Sequence, residues 1–205
     1  MTAIKICGIT RCEDAELAAS LGAWAVGFVL WPRSPRHTSL DRVREIVRVL
    51  PASVEPVGVF VDPTVEEVRA AVDAGIRVAQ IHGNPPAIAV RMVRAVHLAA
   101  DGIEPAVPDD TVLLDAHDPV RRGGTGTTID WQRAAAVART RRVILAGGLR
   151  PDNVGEAITT VRPFAVDVSS GVETRPGIKD HSLIRAFIAA AQAASTQGTY
   201  GIERT

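Results

Sequence analysis

Ala3-Ile4-Lys5-Ile6-Cys7-Gly8-Ile9-Thr10 is a short β-patterned run that ends on a thiol, a glycine and a helix-start signal. Alternation along a strand predicts Ile4 and Ile6 on one face and Lys5 and Cys7 on the other. The rhythm of this run repeats down the chain. Strands are predicted at Ala3–Cys7, Ala25–Leu30, Pro56–Phe60, Val78–Ile81, Val96–Ala99, Thr111–Asp115, Arg142–Leu145 and Phe164–Val168. Helix-patterned segments fall between them, at Arg11–Leu21, Leu40–Leu50, Thr64–Ala74, Pro86–Arg94, Asp130–Thr140, Pro151–Thr160 and Lys179–Ala194. Asp62-Pro63-Thr64 ahead of Glu66 and Glu67, Pro151-Asp152, and Asp130 are helix-start signals. Mostly apolar strands alternating with helices imply a parallel sheet covered by helices. Eight such units predict an α/β fold, a single closed (β/α)₈ TIM barrel. Gly102, Pro105 and Pro108 interrupt the connection after the fifth strand, so its helix is expected to be reduced or missing. The barrel is assigned to residues 1–195 and a polar, poorly ordered tail to 196–205.

The chain has 205 residues, 46% apolar and 22% charged, which suits one sizeable core rather than two domains. Lys plus Arg and Asp plus Glu are both 23. That balance gives no electrostatic case for nucleic acid or an anionic membrane, so any anionic ligand must be held by local donors. Cys7 and Cys12 are the two cysteines. They have no zinc-like spacing and make no disulfide framework, which points to a reducing, cytoplasmic compartment. No secretory signal opens the sequence, and no apolar stretch is long enough to span a bilayer.

A cysteine at the end of a barrel strand sits where βα loops begin and where α/β enzymes do their chemistry. The ordinary role of a free cysteine is that of a small buried hydrophobe. Cys7 adds to this a strand-end position next to Lys5, whose cation would lower the thiol pKa. A thiolate there is a nucleophile or a proton acceptor, and the residues leave both open. Cys12 reads as packing. Asp115 ends the sixth strand, as a cap or as a catalytic group at the rim. The segment Gly123-Gly124-Thr125-Gly126-Thr127-Thr128 lets backbone approach a ligand but lacks the Gly-Lys-Ser/Thr of a Walker loop. Ala146-Gly147-Gly148 follows the seventh strand and Ser169-Ser170-Gly171 the eighth, where barrel loops bind phosphate through backbone N–H groups. Arg36, in a proline-stiffened loop after the second strand, is either a solvated surface cation or a bidentate grip for a carboxylate. Gln80 and His82 end the fourth strand, and His82 either orients substrate or hydrogen-bonds a loop.

Taken in order, these blocks resemble the phosphoribosylanthranilate isomerase family of tryptophan biosynthesis. The resemblance runs from Lys5-Ile6-Cys7-Gly8-Ile9-Thr10 through Ser34-Pro35-Arg36, Gln80-Ile81-His82-Gly83, Leu114-Asp115, Gly123-Gly124-Thr125-Gly126 and Ala146-Gly147-Gly148-Leu149. It ends with Asp167-Val168-Ser169-Ser170-Gly171-Val172-Glu173 and Pro176-Gly177-Ile178-Lys179-Asp180. It implies a cofactor-free, metal-free aldose–ketose isomerase that performs an Amadori rearrangement. The product would be 1-(2-carboxyphenylamino)-1-deoxyribulose 5-phosphate. Asp115 would be the general acid that opens the ribose ring and Cys7 the general base at C2. Arg36 would lie by the anthranilate carboxylate. Gly147, Gly148, Asp167 and Ser169 would surround the phosphate, with Asp167 as a loop-orienting acceptor because it cannot attract a dianion. The implied partner is a phosphorylated small molecule, with no nucleic acid and no membrane, and the chain is expected to be a monomer or homodimer. One departure stands out. The family's lysine and phenylalanine in the glycine loop are Thr127 and Ile129 here. The lost cation predicts weaker substrate affinity or loop closure than in relatives.

Two other readings compete. A phosphosugar lyase or epimerase of the same fold would need a Lys/Glu pair or a metal-binding His/Asp set at the strand ends, and none is apparent. A barrel that only binds phosphorylated metabolites needs neither Cys7 nor Asp115 as a proton-transfer group.

Overall fold

The strand that opens the chain, β1 (Ala3–Cys7), hydrogen-bonds in parallel on one side to β2 (Ala25–Val29) and on the other to β8 (Ala165–Val168). This computed structural model describes residues 1–99, 102–107, 111–115 and 129–197. The glycine loop at 123–128, with Thr127, and the tail from 198 to 205 lie outside the described residues. The parallel order continues through β3 (Glu55–Val61), β4 (Val78–His82), β5 (Arg91–Ala99), β6 (Thr111–Leu114) and β7 (Arg142–Leu145). Pairing of β7 with β8, and of β4 with β5, closes the eight strands into a barrel.

Period-2 alternation sorts the side chains as the first strand suggested. Ile4 and Ile6 point outward into the main core, with Val26, Phe28, Ile81, Val96, Leu145 and Val166. That layer is covered by α1 (Cys12–Ser20), α2 (Leu40–Val49), α3 (Val65–Asp73), α4 (Trp131–Ala138), α5 (Val154–Val161) and α6 (His181–Gln197). The barrel interior is filled by Ala25, Val57 and Val78, and by Ala95, Leu113, Ile144, Ala146 and Ala165. Trp24 and Phe164 meet edge-on below them, with the Arg142 guanidinium 3.9 Å from the Phe164 ring centroid. A packed lower interior leaves the C-terminal strand ends as the place for a site.

Helix starts follow local chemistry. Thr64 and Glu67 form a reciprocal capping box at α3, and the Asp130 carboxylate accepts from the Gln132 and Arg133 amides at α4. α5 begins at Val154, later than Pro151-Asp152 suggested, because Asn153 spends its side chain on the preceding loop instead of on a cap. α6 runs to Gln197, past the predicted end at Ala194.

The helix predicted at Pro86–Arg94 is not present. Pro85 and Pro86 have no amide hydrogen to give. The Ile88 amide donates to the Pro86 carbonyl at 3.0 Å and Val90 to Ile88 at 3.1 Å, bonds too short in sequence for a helix. Ile88, Val90 and Met92 instead reach the core at every second residue, the period of the strand that begins at Arg91. After β5 a short strand, Gly102–Glu104, folds back antiparallel on it, and no helix follows among the described residues before β6. Among the described residues no helix is long and apolar enough to cross a membrane.

Candidate active site

A cavity of about 450 Å³ opens at the C-terminal ends of the strands. Cys7 enters it from β1, Gln80 and His82 from β4, Asp115 from the end of β6, and Asp167 from β8. Ala146, Gly147 and Gly148 line it after β7, and Ser169 and Ser170 after β8; Trp31 and Arg36 line it from the β2–α2 loop. The sequence-predicted residues therefore converge on one opening, except Gly171. A Cβ on Gly171 would come within 1.9 Å of the Leu149 carbonyl oxygen, so its missing side chain lets the loops after β7 and β8 touch, outside the cavity wall.

The floor is a buried polar chain. Lys5 Nζ donates to Asp167 Oδ2 at 2.8 Å and to Gln80 Oε1 at 3.0 Å, while Gln80 Nε2 lies 3.1 Å from His82 Nε2. Strand register makes this possible, since Lys5 is the β1 partner of Asp167. Asp167 is thus the counter-ion of Lys5 rather than the loop-orienting acceptor expected from the sequence. Its other oxygen, Oδ1, is buried with no partner among the described residues.

Cys7 stands beside this cation. Its register partner on β2 is Gly27, and a Cβ there would lie 2.8 Å from Cys7 Sγ and 3.2 Å from Lys5 Cε. The glycine is a vacancy that the thiol and the lysine stem occupy together. Lys5 does not bring the thiol pKa below its ordinary value, as the sequence suggested. Burial raises it, and the Asp167 charge adds to that; Lys5 and Lys179 pull the other way without prevailing. The Lys5 pKa is itself raised. Burial pushes it down, but Asp167 and Cys7 more than offset that. Asp115 is buried and fixed at the backbone: its amide donates to the Val96 carbonyl at 3.0 Å, and its own carbonyl lies 3.3 Å from His97 Nδ1.

The loops after β7 and β8 leave polar donors unengaged by the described residues. Gly147 and Gly148 have φ of 82° and 66°, a region that side-chain-bearing residues avoid. Their amides donate to no described residue. Asn153 holds the turn, donating from Nδ2 to the Gly148 carbonyl at 3.0 Å and accepting the Arg150 amide at 2.7 Å. Across the cavity, Ser169 Oγ is buried with no partner among the described residues.

Arg36 is neither solvated nor waiting for an outside carboxylate alone. Its Nε and Nη2 already grip Glu173, at 3.0 and 2.8 Å. Sequence reading missed Glu173, Lys179 and Gly27 as parts of the site. Glu173 and Lys179 stand in the blocks quoted above, but nothing local tells that they fold under Arg36.

The family model of N-(5'-phosphoribosyl)anthranilate (PRA) isomerase matches residues 4–190. A protein of Geobacter sp. (strain M21) named N-(5'-phosphoribosyl)anthranilate isomerase is 44% identical over 201 residues, covering 94% of this chain and 98% of the relative. A solved phosphoribosyl anthranilate isomerase in complex with reduced 1-(o-carboxyphenylamino)-1-deoxyribulose 5-phosphate superimposes with a TM-score of 0.79 at 36% identity, over 94% of this chain and 100% of that one. Monomers generated from the dimeric enzyme of Thermotoga maritima superimpose with a TM-score of 0.78 at 37% identity, with the same coverage.

Proposed function

The chain belongs to the N-(5'-phosphoribosyl)anthranilate isomerase family, and we propose from this that Asp115 and Cys7 perform its isomerisation as general acid and general base. It is an isomerase of tryptophan biosynthesis. The observation that carries the residue assignment is that Cys7 and Asp115 line one cavity with two anion-type loops.

The steps follow from the substrate's own electronics. The anilino nitrogen pushes its lone pair toward C1 of the ribose as the ring C–O bond breaks, and Asp115 delivers a proton to the departing ring oxygen. The result is an open-chain protonated imine. That cation acidifies C2, and the Cys7 thiolate removes the C2 proton; the C–H electrons become the C1–C2 double bond and the imine π pair returns to nitrogen. The enolamine then takes a proton at C1 and loses one from the C2 hydroxyl, giving the ketone. No external oxidant or reductant is involved. In the ligand-free site burial keeps Cys7 in its thiol form, so the order matters. A positive imine beside the thiol lowers its pKa and favours loss of its proton to solvent, so the thiolate is most populated after the acid has acted.

Gly147, Gly148, Ser169 and Ser170 hold the phosphate through backbone and hydroxyl donors. Arg36 faces the anthranilate carboxylate, and Gln80 and His82 lie along the sugar. The chain works as a monomer or homodimer.

The test is turnover of freshly made phosphoribosylanthranilate, followed by loss of its anthranilate fluorescence. Cys7→Ala and Asp115→Asn are each expected to lower kcat by about 10²–10⁴, the usual worth of a positioned acid or base. Unchanged rates in both variants would remove the assignment.

A further inference from the structure

We propose that Glu173 is a positioning residue for substrate recognition: it holds one edge of the Arg36 guanidinium so that the other edge meets the anthranilate carboxylate. This rests on the activity proposed above and adds the residue that aims its carboxylate-binding arginine.

Glu173 begins a two-stranded hairpin, Glu173–Arg175 with Ile178–Lys179, that follows β8. Its carboxylate is almost fully buried and does not line the cavity, so it reaches a ligand only through another residue. Arg36 Nε donates to Oε1 and Oε2 at 3.0 and 3.1 Å, and Nη2 donates to Oε2 at 2.8 Å. That is the side-on edge of the guanidinium. The end-on edge keeps Nη1, which donates to no described residue, and Arg36 itself lines the cavity. A planar fork with one edge pinned offers the other at a fixed angle, the condition for bidentate carboxylate recognition.

The remaining contacts make Glu173 rigid. Oε1 also accepts from Lys179 Nζ at 2.9 Å and from the Gly177 amide at 3.2 Å. Lys179 Nζ is completely buried and donates as well to the Ser169 carbonyl at 3.1 Å, which ties the hairpin to the loop after β8. Gly8, next to the proposed base, leaves room above it: a Cβ there would lie 3.0 Å from Arg36 Cδ and 3.5 Å from Lys179 Nζ. Two cations against one carboxylate leave a surplus positive charge at a cavity meant for an anion. Arg36 would swing freely on its long stem without Glu173, and ordering it would cost binding energy.

The probes are two stable ligands: the reduced secondary-amine analogue of the product bearing the o-carboxyphenyl group, and its phenyl counterpart without the carboxyl. Dissociation constants are measured by calorimetry for the wild type and Glu173→Gln. The variant is expected to bind the carboxylated ligand about tenfold more weakly, roughly one charge-assisted hydrogen bond, and the phenyl ligand within about twofold of wild type. Because Glu173→Gln strands the Lys179 cation, the double variant Glu173→Gln/Lys179→Met is run beside it and is expected to show the same selective loss. Equal losses on both ligands, no loss on either, or a wild type indifferent to the carboxyl would each overturn the proposal. Selective carboxylate binding by a wild type that does not turn over phosphoribosylanthranilate would overturn the proposed reaction and leave this role standing.

Discussion

At the scale of single residues, the site is governed by what surrounds one thiol. Burial holds the Cys7 pKa above its ordinary value against the pull of Lys5 and Lys179. Alkylation of ligand-free protein by iodoacetamide should therefore show a rate that climbs with pH to a midpoint above the ~8.5 of a free cysteine. The value is read by mass spectrometry at Cys7, and a midpoint below that of free cysteine would refute it. Gly27 is the second lever. An added methyl would press on both Cys7 Sγ and Lys5 Cε, at 2.8 and 3.2 Å. Gly27→Ala is expected to fold yet lose about 100-fold in kcat, the scale of an ångström-sized misplacement of a reacting group. The Lys5–Asp167 pair is the third. Both partners are buried, and Lys5→Met would leave a carboxylate in the barrel without its cation. Urea unfolding should show a loss of about 3–5 kcal/mol, and a loss under 1 kcal/mol would contradict the pairing's structural weight.

At the scale of elements, the loop between β7 and α5 shows how a helix gives up a cap for a site. Asn153 precedes α5 but bonds backward to Gly148 and Arg150. Asn153→Ala should raise KM about fivefold through a looser turn at the proposed phosphate site, with kcat within a few-fold, since a hydrogen bond of this kind is worth about 1 kcal/mol. Steady-state kinetics on the variant check it; a fall confined to kcat would argue otherwise. The same scale explains what the sequence made legible. Strand alternation at Ile4, Lys5, Ile6 and Cys7 is a local property, so the inward thiol and lysine were readable. The strand-end placement of Asp115 and the two loops follows from counting strands. Pro86–Arg94 misled because alanines at 87 and 89 suit a helix, while the deciding pattern, apolar residues at 88, 90 and 92, has period two. The ion pairs were out of reach for another reason. Lys5 meets Asp167 across 162 positions and Arg36 meets Glu173 across 137, separations that no local pattern encodes.

At the scale of the whole molecule, the hairpin after β8 acts as a clasp. Glu173 joins the β2–α2 loop through Arg36, and Thr10, just after β1, donates to the Gly177 carbonyl. Burial works to raise the Glu173 pKa, but Arg36 and Lys179 outweigh it and the net direction is down. A carboxylate with a lowered folded pKa contributes stability above its unfolded value, about 4.3, and loses it as pH falls through the lower folded value. Urea midpoints should thus drop more steeply for the wild type than for Glu173→Gln between about pH 5 and pH 3; parallel curves would show that the clasp carries no such linkage.

The barrel wall is unevenly dressed. β4 passes to β5 without a helix, and β5 passes to β6 with only the short strand Gly102–Glu104 among the described residues. Every other neighbouring strand pair has a helix laid over its crossover. Amide hydrogens along β5 should trade for deuterium sooner than those of β1 or β8, because fewer apolar contacts must break to expose them. Local opening would then start on the flank that carries Gln80 and His82, while the strand bearing the thiol stays zipped.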